Sequence, residues 1–114
     1  MTDETRGLVD ARFLAALPDG ALVVNVARGP VVVTDDLLAE VRSGRLRAAL
    51  DVTDPEPLPD DSPLWQLPNC LITPHTANPW QTAQPLLARR ITENTRRYAA
   101  GEPLLGLVDL DAGY

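Results

Sequence analysis

The sequence predicts an α/β fold: a parallel sheet of about three strands, flanking helices and a long C-terminal helix. Three observations carry that expectation. Short apolar runs (Leu22-Val23-Val24-Asn25-Val26, Ala48-Ala49-Leu50-Asp51-Val52 and Cys70-Leu71-Ile72-Thr73) alternate with amphipathic segments, the order that crossover helices between parallel strands produce. The first run is rich in Val and almost unbroken, as a strand covered on both faces is. Each run gives way to a polar residue beyond its end, namely Arg28, Glu56 and His75. In an open α/β sheet the carboxyl ends of the strands form the edge where ligands bind.

Each element has its own warrant. Residues 1–7 are polar and read as a loop. From Asp10 to Leu17, the residues Phe13, Leu14 and Leu17 share a side, which predicts a short helix stopped by Pro18-Asp19-Gly20. Residues 21–26 predict the first strand, broken by Ala27-Arg28-Gly29-Pro30. Thr34 is placed to cap a second helix, with Asp35 and Asp36 in its first turn, where carboxylates complement the helix dipole. Leu37, Leu38 and Val41 give that helix an apolar face, and Gly44 ends it. Arg47 to Val52 predicts the second strand. Residues 53–69 read as an acidic, Pro-rich loop with one helical turn at Ser62-Pro63-Leu64-Trp65, Ser62 capping and Pro63 first. Cys70 to Thr73 predicts a short third strand, followed by a loop over 74–79. Thr82 can cap the last helix, which would leave Pro85 in the first turn, where an N–H has no intrahelical partner anyway. Ala83, Leu87, Ile91 and Tyr98 keep helical spacing, and Gly101 and Pro103 end the helix.

Composition bounds the function. The 114 residues suffice for one modest domain with a small core. The net charge is −6, with no Lys and ten Arg, which argues against nucleic acid, whose phosphates need clustered basic residues. Arg89, Arg90, Arg96 and Arg97 read as a solvated helix face. The single cysteine, Cys70, lies in an apolar run and reads as a structural thiol in a reducing compartment. The polar N-terminus shows no secretory signal, and no apolar stretch approaches membrane-spanning length. Cytoplasm is the expected location, with no membrane partner.

The chemistry rests on the three residues past the strands. A guanidinium at Arg28 suits a substrate carboxylate and the carbonyl beside it. His75, the lone histidine, suits proton transfer near neutral pH. A carboxylate at Glu56 would orient the imidazole and fix its tautomer. Asp51, at the end of an apolar strand, needs a partner or an open site. Taken singly, Arg28, Glu56 and His75 each fit a bland surface or structural role, and the ordered set is what carries the argument. One His and one Cys cannot supply a usual tetrahedral zinc set, so no metal is expected. No serine nucleophile elbow is present. No Gly-x-Gly-x-x-Gly occurs either, so the usual phosphate-binding turn of such a site is missing.

The chain resembles the C-terminal part of the D-isomer-specific 2-hydroxyacid dehydrogenases. The resemblance lies in Glu4-Thr5-Arg6-Gly7-Leu8-Val9, Val24-Asn25-Val26-Ala27-Arg28-Gly29, Ala49-Leu50-Asp51-Val52 with Glu56-Pro57, Thr73-Pro74-His75-Thr76, and Glu93-Asn94 followed by Tyr98 and Gly101-Glu102-Pro103. It implies that residues 1–78 are the second half of a Rossmann-type NAD(P)-binding domain. Residues 79–114 would then be a helix and tail returning to a substrate domain that this sequence lacks. It implies catalytic roles for Arg28 (substrate carboxylate and carbonyl), His75 (acid/base) and Glu56 (partner of the histidine). It places Val26, Ala27, Arg28, Asp51 and His75 at the nicotinamide end of NAD, with NADP left open. The implied reaction is hydride transfer between a small 2-hydroxy acid and its 2-keto acid. The alternative expectation is a truncated, non-catalytic remnant, or a binding module completing another chain. Self-association, or a partner supplying the missing half, is expected.

Overall fold

A computed structural model describes residues 1–111. The chain separates into two compact units, Met1–Ala77 and Asn78–Tyr114. The first contains helix α1 (Ala11–Ala15), strand β1 (Leu22–Asn25), helix α2 (Thr34–Arg42), strand β2 (Arg47–Leu50) and strand β3 (Cys70–Ile72). Two short 3-10 turns, Gly29–Val31 and Pro63–Gln66, interrupt the loops. The strands form a parallel sheet in the order β1-β2-β3, with Leu22 opposite Arg47 and Ala48 opposite Cys70. This is the α/β architecture that the alternation predicts.

The core lies on one side of that sheet. Ala48 and Leu50 of β2 pack with Leu14, Leu37, Val41, Leu46 and Leu64, all buried. The other side does not match the expectation for β1. Leu22 and Val24 are 51% and 58% exposed, and Leu71 of β3 is 63% exposed. The Val-rich run is therefore covered on one face only. Side chains alternate across a strand, so Val23 and Asn25 turn to the core while Leu22 and Val24 stand open.

Helix α1 is capped by Asp10, which the sequence reading did not single out, its Oδ1 accepting from the Phe13 amide at 2.8 Å; Phe13 itself is 47% exposed. Two expected caps move. Val33, not Thr34, occupies the cap position of α2. Thr34 is the first helical residue, and its hydroxyl donates instead to the Asp54 carbonyl at 2.7 Å. Asp36 in the first turn accepts from the Ala11 amide at 2.8 Å, tying α2 to α1. Gly44 closes α2 at φ +79, a conformation that a side chain disfavours. Ser62 stands at the cap position of the second 3-10 turn without a capping side-chain bond, and Pro63 is first. Cys70 is half-buried against the core, and burial pushes its thiol pKa up.

The second unit is helix α3 (Trp80–Ala99) and the segment after it. The helix starts one turn's part earlier than the Thr82 cap implies, with Pro79 at the cap position. Pro85 therefore lies inside the helix, where its missing N–H leaves the Gln81 carbonyl without its usual helical donor. None of the α3 residues is buried within the described structure. Arg96 and Arg97 do not merely face solvent: they pair with Glu93 and Glu102, and Arg97 also donates to the Pro103 carbonyl at 3.1 Å. Asn94 holds Leu105 through both backbone groups, at 2.9 and 3.1 Å. The last residues of the tail, 112–114, lie outside the described residues. No helix among the described residues is long and apolar enough to cross a membrane.

Candidate active site

The three sheet strands run parallel, so their carboxyl ends share one edge, and the loops leaving that edge carry the candidate residues. The loop after β1 is organised by Asn25, which is buried at 6% exposure. Its Oδ1 accepts from the Ala27 amide at 3.1 Å, and its Nδ2 donates to the Arg28 carbonyl at 3.0 Å. Both ends of the loop are thereby satisfied internally, and Arg28 is presented on the surface. The guanidinium of Arg28 donates to the Ala27 carbonyl at 2.6 Å. No carboxylate among the described residues pairs with it.

The structure brings Glu56 and His75 together. Their side chains meet between Oε1 and Nδ1 at 2.5 Å, both part-exposed. The hydrogen bond from the imidazole, its charge and the Thr53 amide hold the Glu56 carboxyl below the usual carboxylate range, against the opposing effect of burial. The pair lines an open hollow of ≈ 390 Å³ together with Asp51, Leu58, Asp60 and Trp65. The Trp65 indole donates to the Pro59 carbonyl at 2.9 Å, which fixes that wall. Arg28 does not line this hollow, and its guanidinium forms no hydrogen bond or ion pair with His75 or Glu56.

Asp51 lies between these loops and is 5% exposed. Its Oδ1 accepts from the Thr73 hydroxyl at 2.6 Å and the Thr76 amide at 2.9 Å, and its Oδ2 accepts from the Ala77 amide at 2.8 Å. The Thr73 hydroxyl, the two amides and the nearby imidazole lower its pKa against the cost of burial. Each carboxylate oxygen can accept two hydrogen bonds, so among the described residues Oδ2 keeps one acceptor site unused. That side of the sheet holds a second hollow, lined by Val24, Val26, Ala49, Asp51, Leu71 and Thr76. Its apolar walls beside one carboxylate acceptor suit a flat aromatic amide such as nicotinamide. The given sequence holds no Gly-x-Gly-x-x-Gly turn to go with it.

Sequence reasoning passed over Asn25, Gly29 and Thr73. The signal for Asn25 was a lone amide inside an apolar run. For Gly29 it was a glycine directly after the candidate arginine, and the structure shows why it is small. A Cβ there would stand 1.8 Å from the Thr53 carbonyl oxygen. Thr73 carried no signal of its own, since Thr is a common strand residue.

Known proteins share this arrangement of elements. Residues 1–77 match the family model described as D-isomer specific 2-hydroxyacid dehydrogenase, NAD binding domain. A D-isomer specific 2-hydroxyacid dehydrogenase from Xanthobacter autotrophicus Py2, solved with NADPH and MES, is 52% identical with a TM-score of 0.87. The match covers 100% of this chain and 47% of that one. An NADPH-dependent glyoxylate/hydroxypyruvate reductase from Sinorhizobium meliloti, solved with NADP and sulfate, is 35% identical with a TM-score of 0.86, covering 100% and 37%. A glyoxylate/hydroxypyruvate reductase A from Klebsiella pneumoniae is 46% identical over 99% of this chain and 36% of its own length. The chain thus spans less than half the length of these relatives. The parallel sheet, the loops at its carboxyl edge and the match over the whole first unit lead to one conclusion: the chain belongs to the D-isomer specific 2-hydroxyacid dehydrogenase family, through its NAD-binding domain.

Proposed function

We propose that this chain serves an oxidoreductase that moves a hydride between a small 2-hydroxy acid and its 2-keto acid. The observation that carries this reading is the Glu56–His75 pair, set at the carboxyl edge of the sheet with Nδ1 engaged. With Nδ1 occupied, Nε2 is the ring atom left to pass a proton to or from the substrate oxygen. Glu56 accepts from Nδ1 and so orients the ring. Arg28, with no carboxylate partner among the described residues, would hold the substrate carboxylate through two parallel hydrogen bonds and polarise the adjoining carbonyl. Val26, Ala27 and the unused acceptor of Asp51 would line the nicotinamide end. A bound nicotinamide supplies or takes up the hydride. The cofactors named for the Xanthobacter and Sinorhizobium proteins favour NADP over NAD. The names of the Klebsiella and Sinorhizobium relatives favour glyoxylate or hydroxypyruvate as the keto acid.

A second reading, a non-catalytic remnant or a module that completes another chain, is favoured by the open sheet face of Leu22, Val24 and Leu71. Steady-state oxidation of NADPH and NADH with glyoxylate, hydroxypyruvate and pyruvate separates the two. The 114-residue chain alone should give no turnover, because its sequence holds no Gly-x-Gly-x-x-Gly turn to seat a pyrophosphate at a helix N-terminus and positioning supplies much of the rate. Joined to the portion of the Xanthobacter relative that this chain does not cover, it should turn over. His75→Ala and Arg28→Ala should then cost about 10²–10⁴-fold in kcat/KM, and Glu56→Ala less. A folded, cofactor-binding fusion without turnover would reject the enzymatic reading.

A further inference from the structure

His75 is held in a backbone conformation that its side chain disfavours. Its φ is +54, the one positive value at a non-glycine residue among those described. Such a conformation persists only where the surroundings enforce it. The enforcing contacts can be followed donor by donor. The Thr73 amide continues the sheet ladder to the Leu50 carbonyl at 2.9 Å. Pro74 has no N–H to place. The His75 amide folds back to the Thr73 carbonyl at 3.1 Å, closing a tight turn about Pro74. The Thr76 and Ala77 amides, at 2.9 and 2.8 Å, both end on Asp51, as does the Thr73 hydroxyl at 2.6 Å. Every backbone donor from 73 to 77 is therefore used, and three of the contacts converge on one carboxylate in the neighbouring strand's extension. The loop itself is exposed, whereas Asp51 is buried.

We propose that Thr73 is a positioning residue: its hydroxyl and the Asp51 carboxylate form a clamp that fixes the left-handed turn at His75 and thereby aims Nδ1 at Glu56. This rests on the reading of His75 as the proton-transfer group. The Thr73 hydroxyl hydrogen-bonds to Asp51 and not to Glu56 or the imidazole; it acts by fixing the path of the backbone that carries the ring. Asp51 on this account does more than offer its unused acceptor site to a ligand, because its other contacts set the geometry of the neighbouring loop. The hydroxyl is the part of the clamp that can be removed without changing charge or volume.

The test uses the full chain, labelled with 15N-histidine. His75 is the only histidine, so one pair of ring signals reports the tautomer directly, in solution or by magic-angle spinning. At about pH 8.5, where an ordinary imidazole is neutral, the Glu56 contact should select the Nδ1–H tautomer. Thr73→Val should lower the ratio of Nδ1–H to Nε2–H at least about fivefold, the equivalent of one lost hydrogen bond. Thr73→Ser should restore the ratio, and Glu56→Gln, which takes away the carboxylate that Nδ1 faces, should lower it as a control. An unchanged ratio in Thr73→Val would overturn the proposal. So would loss of the core methyl dispersion of Leu14 and Leu37 in that variant, since the hydroxyl would then support the sheet and not the loop. Failure of Thr73→Ser to restore the ratio would overturn it as well. The enzymatic reading fails separately. A tautomer that follows Thr73 in a fusion that turns over nothing leaves the clamp standing without the reaction. Turnover with a tautomer indifferent to Thr73 leaves the reaction standing without the clamp. In an active fusion, Thr73→Val should lower kcat while leaving KM nearly unchanged.

Discussion

Gly29 is where the loop after β1 meets the loop after β2. The backbone of residue 29 is buried, and a Cβ built there would stand 1.8 Å from the Thr53 carbonyl oxygen and 2.2 Å from its carbon. Neither neighbour is a flexible side chain, so an added methyl must push two backbone segments apart. Gly29→Ala should therefore destabilise the first unit by about 1–3 kcal/mol, as overpacking does, and calorimetry should record a Tm lower by several degrees. An unchanged Tm would show that the two loops separate freely. The same crowding explains how Arg28 is displayed. Asn25 satisfies the loop from within, and Gly29 lets it settle against residues 53 and 54. The guanidinium is left outside, bonded among the described residues only to its neighbour's carbonyl.

The elements are joined by polar groups as much as by the core. Arg45 stacks three roles in the turn after α2. Its Nη2 and Nη1 donate to the Leu14 and Leu17 carbonyls at the end of α1, at 2.6 and 2.8 Å, and its Nε donates to Glu40. The Asn69 amide spans the Val41 and Leu46 carbonyls, both at 2.8 Å, linking α2 to the entry of β3. Asp51 does the same for β2 and the loop after β3. Asp51, Glu56, Glu40 and Glu93 all hold their carboxyls below the ordinary range, chiefly through hydrogen bonds from Thr73, His75, Arg45 and Arg96 respectively. A carboxyl whose pKa is lower folded than unfolded adds stability above the unfolded value. That stability fades as pH falls through the folded value, because the unfolded chain takes up protons first. Thermal unfolding followed between about pH 7 and pH 3 should show Tm falling once pH drops below about 4.5. Asp51→Asn should start from a lower Tm and lose less on acidification. A Tm insensitive to acid would count against these contacts.

Taken together, the described residues leave one side of the sheet bare. Leu22, Val24, Val26 and Leu71 are each more than half exposed, and β1 has no strand on its outer edge among the described residues. A free strand edge with alternate apolar residues and no Lys or Pro within it invites pairing, and contiguous apolar exposure marks an interface or an aggregation site. In the second unit Leu86, Leu87, Ile91 and Tyr98 of α3 are exposed as well. The purified chain should therefore self-associate, or become monodisperse only with a partner that covers this face. Light scattering over a concentration series measures it. A stable monomer with sharp cooperative unfolding would show that the bare face is tolerated in water.

Patterns that act within a few residues were legible from the chain alone. Apolar runs separated by amphipathic segments gave three parallel strands with helices between, because side-chain period and turn chemistry are local. The motifs around Arg28, Asp51, Glu56 and His75 gave the family through resemblance, and the structure sets Glu56 against His75 although 19 residues separate them. What could not be read depended on distant segments. Thr34 looks like a cap until the Asp54 carbonyl, 20 residues on, draws its hydroxyl away. The run at 21–26 looks doubly covered, since a Val-rich sequence records which residues tolerate burial and not which segments lie over them. Thr73 and the left-handed turn at His75 were invisible for the same reason. Their geometry is set by hydrogen bonds to a carboxylate more than twenty residues earlier, and such bonds form only once the sheet has brought β2 and β3 side by side.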